Sequence, residues 1–397
     1  MSYENPQNII RSWNDVQSFN TGPVYEDKLA PVDYGRIETL FTQTWREEKL
    51  SNTLDWGAQS FSVYLPESLQ VISSAYLKID LPALGADSYK KYPGIFALKT
   101  LRLLSNGSEL YTCDCNLFFH DYLESLSEEG LHCISSAYFG TTANLSPDAR
   151  TIMIPIMLPN SQYLGRTGDN KGHGIFPCFL GNATLELQIT LNEAGHVATS
   201  TSSVPASIAG ACSMMYHEVQ MSESIAKTYA ALRGNYSIVN RRFTELTNGW
   251  TEYASAGDKV NINQYQPQGA VTEVMVIAVP NNADETRHGT NYVLPDSLKV
   301  TADSICQKDL NTPQKVKAEL WTNGFCPPED FPSPGRLCFA VHAARADHVF
   351  SGAYNMQSAS NVDFEFTFPT AVRYRVIASC LQRCSIDPTG KIRARLE

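Results

Sequence analysis

The chain has 397 residues, of which 43% are hydrophobic and 18% charged, and its formal net charge is −10. This length exceeds what one hydrophobic core usually serves and predicts two domains, while the hydrophobic content argues against a disordered chain. Because Lys and Arg form no dense run, the composition argues against sequence-specific nucleic-acid binding. We interpret the richest basic spots, residues 241–242 and 391–395, as solvated charge or subunit contacts.

Aromatic residues make up 10% of the chain, and glycine and proline are scattered between its apolar runs. Both features favour short strands separated by turns, which predicts an all-β protein. Residues 1–35 show neither strand nor helix periodicity, so they are either an arm that orders on a neighbour or a frayed terminus. Residues 1–31 are polar and lack the apolar stretch typical of a signal peptide. We therefore expect the chain to fold in a cytosol and most of its ten Cys to be reduced and buried.

A first run of strands is predicted after the arm. Its members are residues 61–65, 71–81, 95–104, 109–112, 152–158, 184–191 and 213–220. Asn106 and Gly107 predict a tight hairpin because both residues tolerate positive φ. Residues 116–127 predict a short helix, and Pro155 restricts its strand to a sheet edge. Residues 194–211, rich in Ser, Thr, Ala and Gly, predict a long surface loop.

A second run of strands follows a helix predicted at residues 222–232, which starts at the capping residue Ser222. Its members are residues 260–265, 271–279, 297–302, 337–341, 362–368 and 374–381. We expect the first two of these strands to pair with each other. Residues 362–368 alternate between apolar and polar side chains, which is typical of a strand with one buried face. Residues 314–322 predict another short helix.

Two serial runs of strands, each interrupted by a short helix, predict two β-sandwiches in one chain, because a single sandwich rarely needs more than about 200 residues. The predicted fold is all-β, with two tandem eight-stranded jelly rolls and short helices. The expected organisation is an N-terminal arm at residues 1–35, a first jelly roll at 36–221, a connecting helix at 222–234 and a second jelly roll with a C-terminal tail at 235–397.

Three motifs in the second run follow one another closely: residues 336–341 (RLCFAV), 350–358 (FSGAYNMQS) and 361–364 (NVDF). Their order resembles the double jelly-roll major capsid proteins of double-stranded DNA viruses and internal-membrane phages, in which a strand leads to a Ser-Gly pair and then to Asn-Val. Residues 215–219 (MYHEV) with the helix after them, and residues 268–277 (QGAVTEVMVI), resemble other segments of that family. Phe350 departs from the pattern, since the family has proline before the Ser-Gly pair.

The resemblance implies a homotrimer that forms a pseudo-hexameric capsomer of an icosahedral capsid. It implies contacts with neighbouring capsomers and with minor capsid or penton proteins, and an N-terminal arm that could reach an internal membrane. It also implies a location in the virion capsid after folding and assembly in the host cytoplasm. Trp45, Trp56 and Trp321 are candidate interface anchors, since buried Trp often dominates binding energy, although a place in a domain core is the commoner one for a Trp.

Two other classes of function stay open from the residues alone: a glycan-binding β-sandwich such as a spike or lectin, and a β-sandwich hydrolase. Cys113, Cys115, His120 and Cys133 lack the paired spacing of a zinc site. Cys380 and Cys384 have no His nearby, and the histidines at 342 and 348 have no required catalytic geometry. No nucleophile elbow, phosphate loop or metalloprotease motif occurs. We therefore expect no catalysis, no cofactor and no metal.

Overall fold

The fold is that of a computed structural model, in which the chain divides into two compact units whose main boundary lies between Asn240 and Arg241. The predicted arm (1–35) and connecting helix (222–234) lie outside the described residues, and the domain limits drawn from the sequence stay predictions. The structure describes residues 41–50, 54–57, 60–65, 71–84, 88–89, 93–114, 117, 150–156, 184–198, 207–208, 212–221, 237–262, 269–281, 292–323, 334–339, 353–356, 359, 361–386 and 392–396.

The first unit contains two four-stranded antiparallel sheets. The strands are β1 (Phe41–Lys49), β2 (Leu54–Asp55), β3 (Phe61–Tyr64), β4 (Val71–Leu81), β5 (Leu98–Ser105), β6 (Ser108–Asp114), β7 (Arg150–Pro155), β8 (Leu185–Leu191), β9 (Ser207–Ile208) and β10 (Cys212–Met221). One sheet has the order β1-β10-β4-β7 and the other β3-β8-β5-β6, while β2 pairs only with β9. A short helix, α1 (Pro93–Ala97), precedes β5.

The second unit repeats this pattern. The strands of its two sheets are β11 (Ser237–Glu245), β12 (Glu252–Ala254), β13 (Val260–Ile262), β14 (Ala270–Pro280), β15 (Ser297–Ala302), β16 (Ile305–Leu310), β17 (Gly335–Cys338), β18 (Tyr354–Asn355), β19 (Val362–Thr367), β20 (Val372–Ile386) and β21 (Ile392–Leu396). The start of β11, up to Asn240, and residues Arg383–Ala394, which include the end of β20 and most of β21, are grouped with the first unit. One sheet has the order β11-β20-β14-β17, joined by the short strands β12, β18 and β21, and the other has β13-β19-β15-β16. Helix α2 (Pro313–Thr322) connects β16 to β17.

The two units share one topology. When the eight principal strands of each unit are numbered along the chain, one sheet runs first, eighth, third, sixth and the other runs second, seventh, fourth, fifth. This arrangement interleaves strands that are far apart in sequence and pairs two sheets, as in an eight-stranded jelly roll. The prediction of two tandem jelly rolls with short helices is confirmed.

The core of the first unit is built from cross-strand pairs of aliphatic side chains. The fully buried pairs are Leu77 with Ile154, Ile79 with Ile152, Leu101 with Ile189 and Leu103 with Leu187. Because side chains alternate along a strand, each pair lies on one face of its sheet. The hairpin prediction is confirmed: Asn106 and Gly107 join β5 to β6 with φ values of 48° and 78°. Pro155 ends β7, which lies at a sheet edge as expected.

The core of the second unit contains residues from both of its sheets. On β15 and β19 the cross-strand pairs are Leu298 with Phe366, Val300 with Phe364 and Ala302 with Val362. The rings of Phe366 and Tyr374 meet edge to face at 5.3 Å, a favoured aromatic geometry. The alternation predicted for residues 362–368 is confirmed, because Val362, Phe364 and Phe366 are buried while the residues between them are half-buried. Each buried ring contributes about 1.5–3 kcal/mol through the hydrophobic effect.

Strand β14 is buried along nearly its whole length, on both faces. One face of its sheet carries an ion pair in which Arg336 Nη1 donates to Glu273 Oε2 at 2.8 Å, and both side chains are 1% exposed. The two residues are diagonal neighbours, since Glu273 lies opposite Cys338, two positions beyond Arg336. Because neither charge reaches solvent, the pair offsets part of the cost of burying each charge.

Three expectations about the fold were wrong. Strands β13 and β14 do not pair with each other, because β13 pairs with β19 and β14 pairs with β17, β18 and β20. The predicted surface loop 194–211 is partly buried, since Ala198 forms a bridge with Tyr89 and both residues are inaccessible. Residues 95–97 belong to α1 rather than to a strand, since Pro93 is compatible with the first turn of a helix.

Candidate assembly surface

Helix α2 owes its position to its ends and to two aliphatic side chains. The hydroxyl of Thr312 caps the N-terminus by accepting a hydrogen bond from Lys315 N at 3.3 Å, and Pro313 occupies the first turn, where no N–H is required. Val316 and Leu320, four residues apart, are the buried side chains of the helix. The amide of Asn323 closes the C-terminus by donating to Glu319 O at 2.9 Å.

A polar cluster ties α2 to the strands on either side of it in sequence. Lys308 Nζ, on β16, donates to the Glu319 carboxylate and to the carbonyl oxygen of Cys338, the latter at 2.7 Å. The same carboxylate accepts a hydrogen bond from Cys338 N, on β17, at 3.1 Å. The Glu319 side chain is only 10% exposed, so these charge-assisted bonds hold α2 more strongly than a surface pair would.

The opposite side of α2 presents a stripe of exposed residues, which we call the α2 outer stripe: Gln314, Lys317, Ala318 and Trp321. Spacings of three and four residues place these side chains on one face of the helix. Trp321 is 77% exposed. A large aromatic side chain that is exposed on a capped and anchored helix is typical of a binding surface. The helix is already ordered, so association costs little additional conformational entropy.

Trp45 lies on β1, the edge strand of its sheet. Its indole is 56% exposed and packs against His217, with 4.8 Å between ring centroids, and more distantly against Tyr76 at 5.9 Å. Burial lowers the pKa of His217, so its imidazole is neutral near pH 7. Charged residues follow Trp45 on the strand, and Arg46 pairs with Glu48 at 2.6 Å. Charges of this kind discourage uncontrolled pairing at a sheet edge.

The three tryptophans predicted as interface anchors are thus placed differently. Trp45 and Trp321 are exposed, whereas Trp56 is half-buried next to β2. Within the described part of the chain, Trp56 Nε1 is buried without a hydrogen-bond partner. Exposure makes Trp45 and Trp321 accessible to a partner, and the interface role of all three stays a prediction.

Other exposed apolar residues were not singled out from the sequence: Tyr64, Tyr253 and Ile305. A signal existed for Tyr64, because it alternates with the buried Val63 and Leu65 on a short strand. A signal also existed for Trp321, since the spacing of Val316 and Leu320 defines the buried face of α2 and Trp321 lies off it. Nothing in the sequence signals the exposure of Ile305. It follows a turn in which Asp303 and Ser304 both adopt positive φ, and neither residue type predicts such a turn as glycine would.

The described residues contain no cluster of three or more His, Cys, Asp or Glu side chains suited to holding a metal ion. Cys212, Cys306, Cys338 and Cys380 are free thiols, and Cys306 alone of these four is exposed. Cys115, His120, Cys133, His342 and His348 lie outside the described residues, as do the side chains of Cys113 and Cys384. In the same part of the chain, no helix combines the length and apolar character needed to span a bilayer.

No protein-family model and no curated protein sequence matches the chain. Solved structures do match its fold. A quasi-atomic model of the PBCV-1 virus capsid superimposes with a TM-score of 0.64 at 12% identity, over 90% of this chain and 96% of the other. The Faustovirus major capsid protein gives a TM-score of 0.59 at 9% identity, over 86% and 90% of the two chains.

The mavirus major capsid protein gives a TM-score of 0.53 at 10% identity and covers 96% of this chain and 94% of its own. The likeness therefore spans both jelly rolls rather than one sandwich. At identities this low the likeness establishes architecture, and it agrees with the strand orders found in the two units. The chain has the double jelly-roll fold of the major capsid proteins of double-stranded DNA viruses, as its sequence motifs predicted.

Proposed function

We propose that this chain is a structural major capsid protein, whose copies form trimeric, pseudo-hexameric capsomers of an icosahedral shell of a DNA virus. The observation that carries the proposal is the repetition of one jelly-roll topology twice in a single chain. The likeness to the PBCV-1, Faustovirus and mavirus capsid proteins extends over at least 86% of the chain, which supports the same conclusion.

The repeated topology has a physical consequence for assembly. Three chains with two similar units each supply six similar units, which can occupy the sites of a hexagonal lattice. A threefold contact is heterologous, so one patch of a chain meets a different patch of its neighbour and the ring closes after three copies. An obligate contact of this kind buries on the order of 2,000 Å² or more. The exposed Trp45 and Trp321 are suitable anchors for such a contact.

Several finer features follow from the proposed role. The partners would be neighbouring capsomers and minor capsid or penton proteins, and residues 1–35 would provide an arm able to contact an internal membrane. The protein would be located in the virion capsid after assembly in the host cytoplasm. Packing against copies of itself requires neither catalysis nor a cofactor.

Mass in solution tests the proposal and separates it from a glycan-binding sandwich. The chain has a mass of 44.0 kDa. We expect sedimentation equilibrium to give a stable species of about 132 kDa, that is, three chains. A chain that stays monomeric at every concentration and binds a sugar would contradict a capsomer and favour the glycan-binding alternative.

A further inference from the structure

The α2 outer stripe combines an exposed aromatic side chain with a positive charge in an acidic protein. Trp321 and Lys317 lie four residues apart on the exposed face of α2, and both are accessible to solvent. The whole chain has 41 acidic and 31 basic residues. Because acidic residues outnumber basic ones, another copy offers more carboxylates than cations to a basic and aromatic stripe.

No acidic side chain offsets this charge on the exposed face of the helix. Glu319, the only acidic residue of α2, is directed to Lys308 and to Cys338 N. The first turn of the helix contains no acidic residue. Lys315 also lies on α2, but about a third of a turn away from the stripe, where it donates to Asn311 Oδ1 at 2.9 Å. Lys317 is therefore the cation placed beside Trp321.

We infer that the α2 outer stripe packs against an acidic patch on a second copy of this chain, within the trimer. The inference rests on the proposed function and identifies the partner of one surface. Trp321 is the central anchor of the contact, and Lys317 pairs with a carboxylate of the neighbouring copy. The contact lies inside the trimer rather than between capsomers because obligate interfaces are the more apolar class. A capsomer that diffuses before it joins a shell would also need such an aromatic side chain to be covered already.

The rigidity of α2 makes the contact effective. The helix is fixed by the Thr312 cap, by buried Val316 and Leu320, and by the cluster formed by Lys308, Glu319 and the Cys338 backbone. A partner that covers Trp321 therefore restricts the motion of little besides the indole side chain. Because this entropy cost is small, most of the free energy gained by burying the indole contributes to affinity.

The test compares the trimer dissociation constants of four chains by sedimentation: the unchanged chain, Trp321→Ala, Lys317→Glu and Lys315→Glu. We expect Trp321→Ala to weaken the trimer by about 30-fold or more, the effect of removing an interface anchor. Lys317→Glu should weaken it by about 10-fold or more, because the new carboxylate faces an acidic patch. Lys315→Glu makes the same charge change off the stripe and should change the dissociation constant by less than about threefold.

Salt provides an independent readout. Raising the salt concentration from about 0.1 M to about 1 M should narrow the difference in dissociation constant between the two chains, because salt screens the attraction made by Lys317 in the unchanged chain and the repulsion in the Lys317→Glu chain. Circular dichroism of each variant at high concentration checks that the chain is folded, and Lys317→Glu changes only an exposed side chain. A trimer unaffected by both Trp321→Ala and Lys317→Glu would overturn the inference and leave the proposed function standing. An unchanged chain that never forms a trimer would overturn both.

Discussion

The buried pair of Glu273 and Arg336 gives a prediction about the second jelly roll that does not depend on assembly. Replacing Glu273 with Leu removes the carboxylate and leaves the guanidinium of Arg336 in a site where it is 1% exposed. Breaking a buried pair in this way costs about 3–5 kcal/mol, because the remaining buried charge loses its paired carboxylate. For a unit of this size that corresponds to a melting temperature lower by roughly 6–20 °C.

The surroundings of the pair support a large effect. Burial, together with the negative charges of Glu273 and Glu319, raises the pKa of the nearby Cys338 thiol well above its usual value. The same dry surroundings that disfavour a thiolate would disfavour an unpaired carboxylate or guanidinium. Since the pair is shielded from solvent, its contribution should change little with salt concentration.

A double-mutant cycle measures this contribution. Thermal unfolding of Glu273→Leu, Arg336→Met and the double variant is followed by circular dichroism at one protein concentration, because oligomerisation also shifts melting temperatures. We expect each single variant to be strongly destabilised and the double variant to lie within about 1 kcal/mol of the unchanged chain, since an apolar pair can replace a buried ion pair. Single variants that melt like the unchanged chain, or additive losses in the double variant, would show that the two side chains do not act as a buried ion pair.

Three further predictions concern two glycines, the reactivity of the thiols and the titration of one of them. Gly107 has a φ of 78° and open space around it, so Gly107→Ala should lower the free energy of unfolding by about 1 kcal/mol through backbone strain alone. Gly335→Ala places a Cβ 2.7 Å from the ring of Pro295 and should lower the free energy of unfolding more. Equal losses in the two variants would contradict this. Cys306→Ser should remove one fast-reacting thiol in a labelling assay of the folded chain, and Cys380→Ser should remove none. Burial, assisted by the charge of Asp80, raises the pKa of the Cys212 thiol from 9.0 to about 12. The unfolded chain therefore loses this proton at lower pH than the folded chain, and the free energy of unfolding falls as the pH rises between those values. Cys212→Ala should make this fall less steep, and an unchanged slope would contradict the role given to Cys212.

Strands with clear alternation and flanking turns could be located from the sequence. β4 and β15 have the predicted limits, and the turn between β5 and β6 follows from the chemistry of Asn106 and Gly107. Strand β16 was missed because five of its six side chains lie at the surface or are only half-buried, which leaves no buried face for a period-two pattern to reveal.

Strand partners were harder to predict than strands. In a jelly roll most paired strands are far apart in sequence, as with β13 and β19, and nothing local specifies that pairing. The assumption that neighbouring runs form a hairpin holds for β5 with β6 but fails for β13 and β14. The bridge between Tyr89 and Ala198 buries part of the segment 194–211, which was expected to be a surface loop, and this contact also joins residues far apart in sequence.

The candidate surface could be predicted only in part. Residue type selected Trp45, Trp56 and Trp321, but exposure depends on which face of a helix or strand is covered. For α2 the covered face is set by Val316 and Leu320, whose spacing is visible in the sequence. The Lys308–Glu319 pair that fixes the helix joins two elements through a tertiary contact, and no sequence period predicts it.

Electron microscopy of the purified chain can show whether two jelly rolls per chain build a threefold capsomer. If one chain supplies two of six positions in a closed threefold ring, class averages should show threefold particles with six similar lobes, and concentrated samples should form hexagonal plates or shells. Particles the size of one chain that never associate as concentration rises would contradict the account, even with both jelly rolls correctly folded.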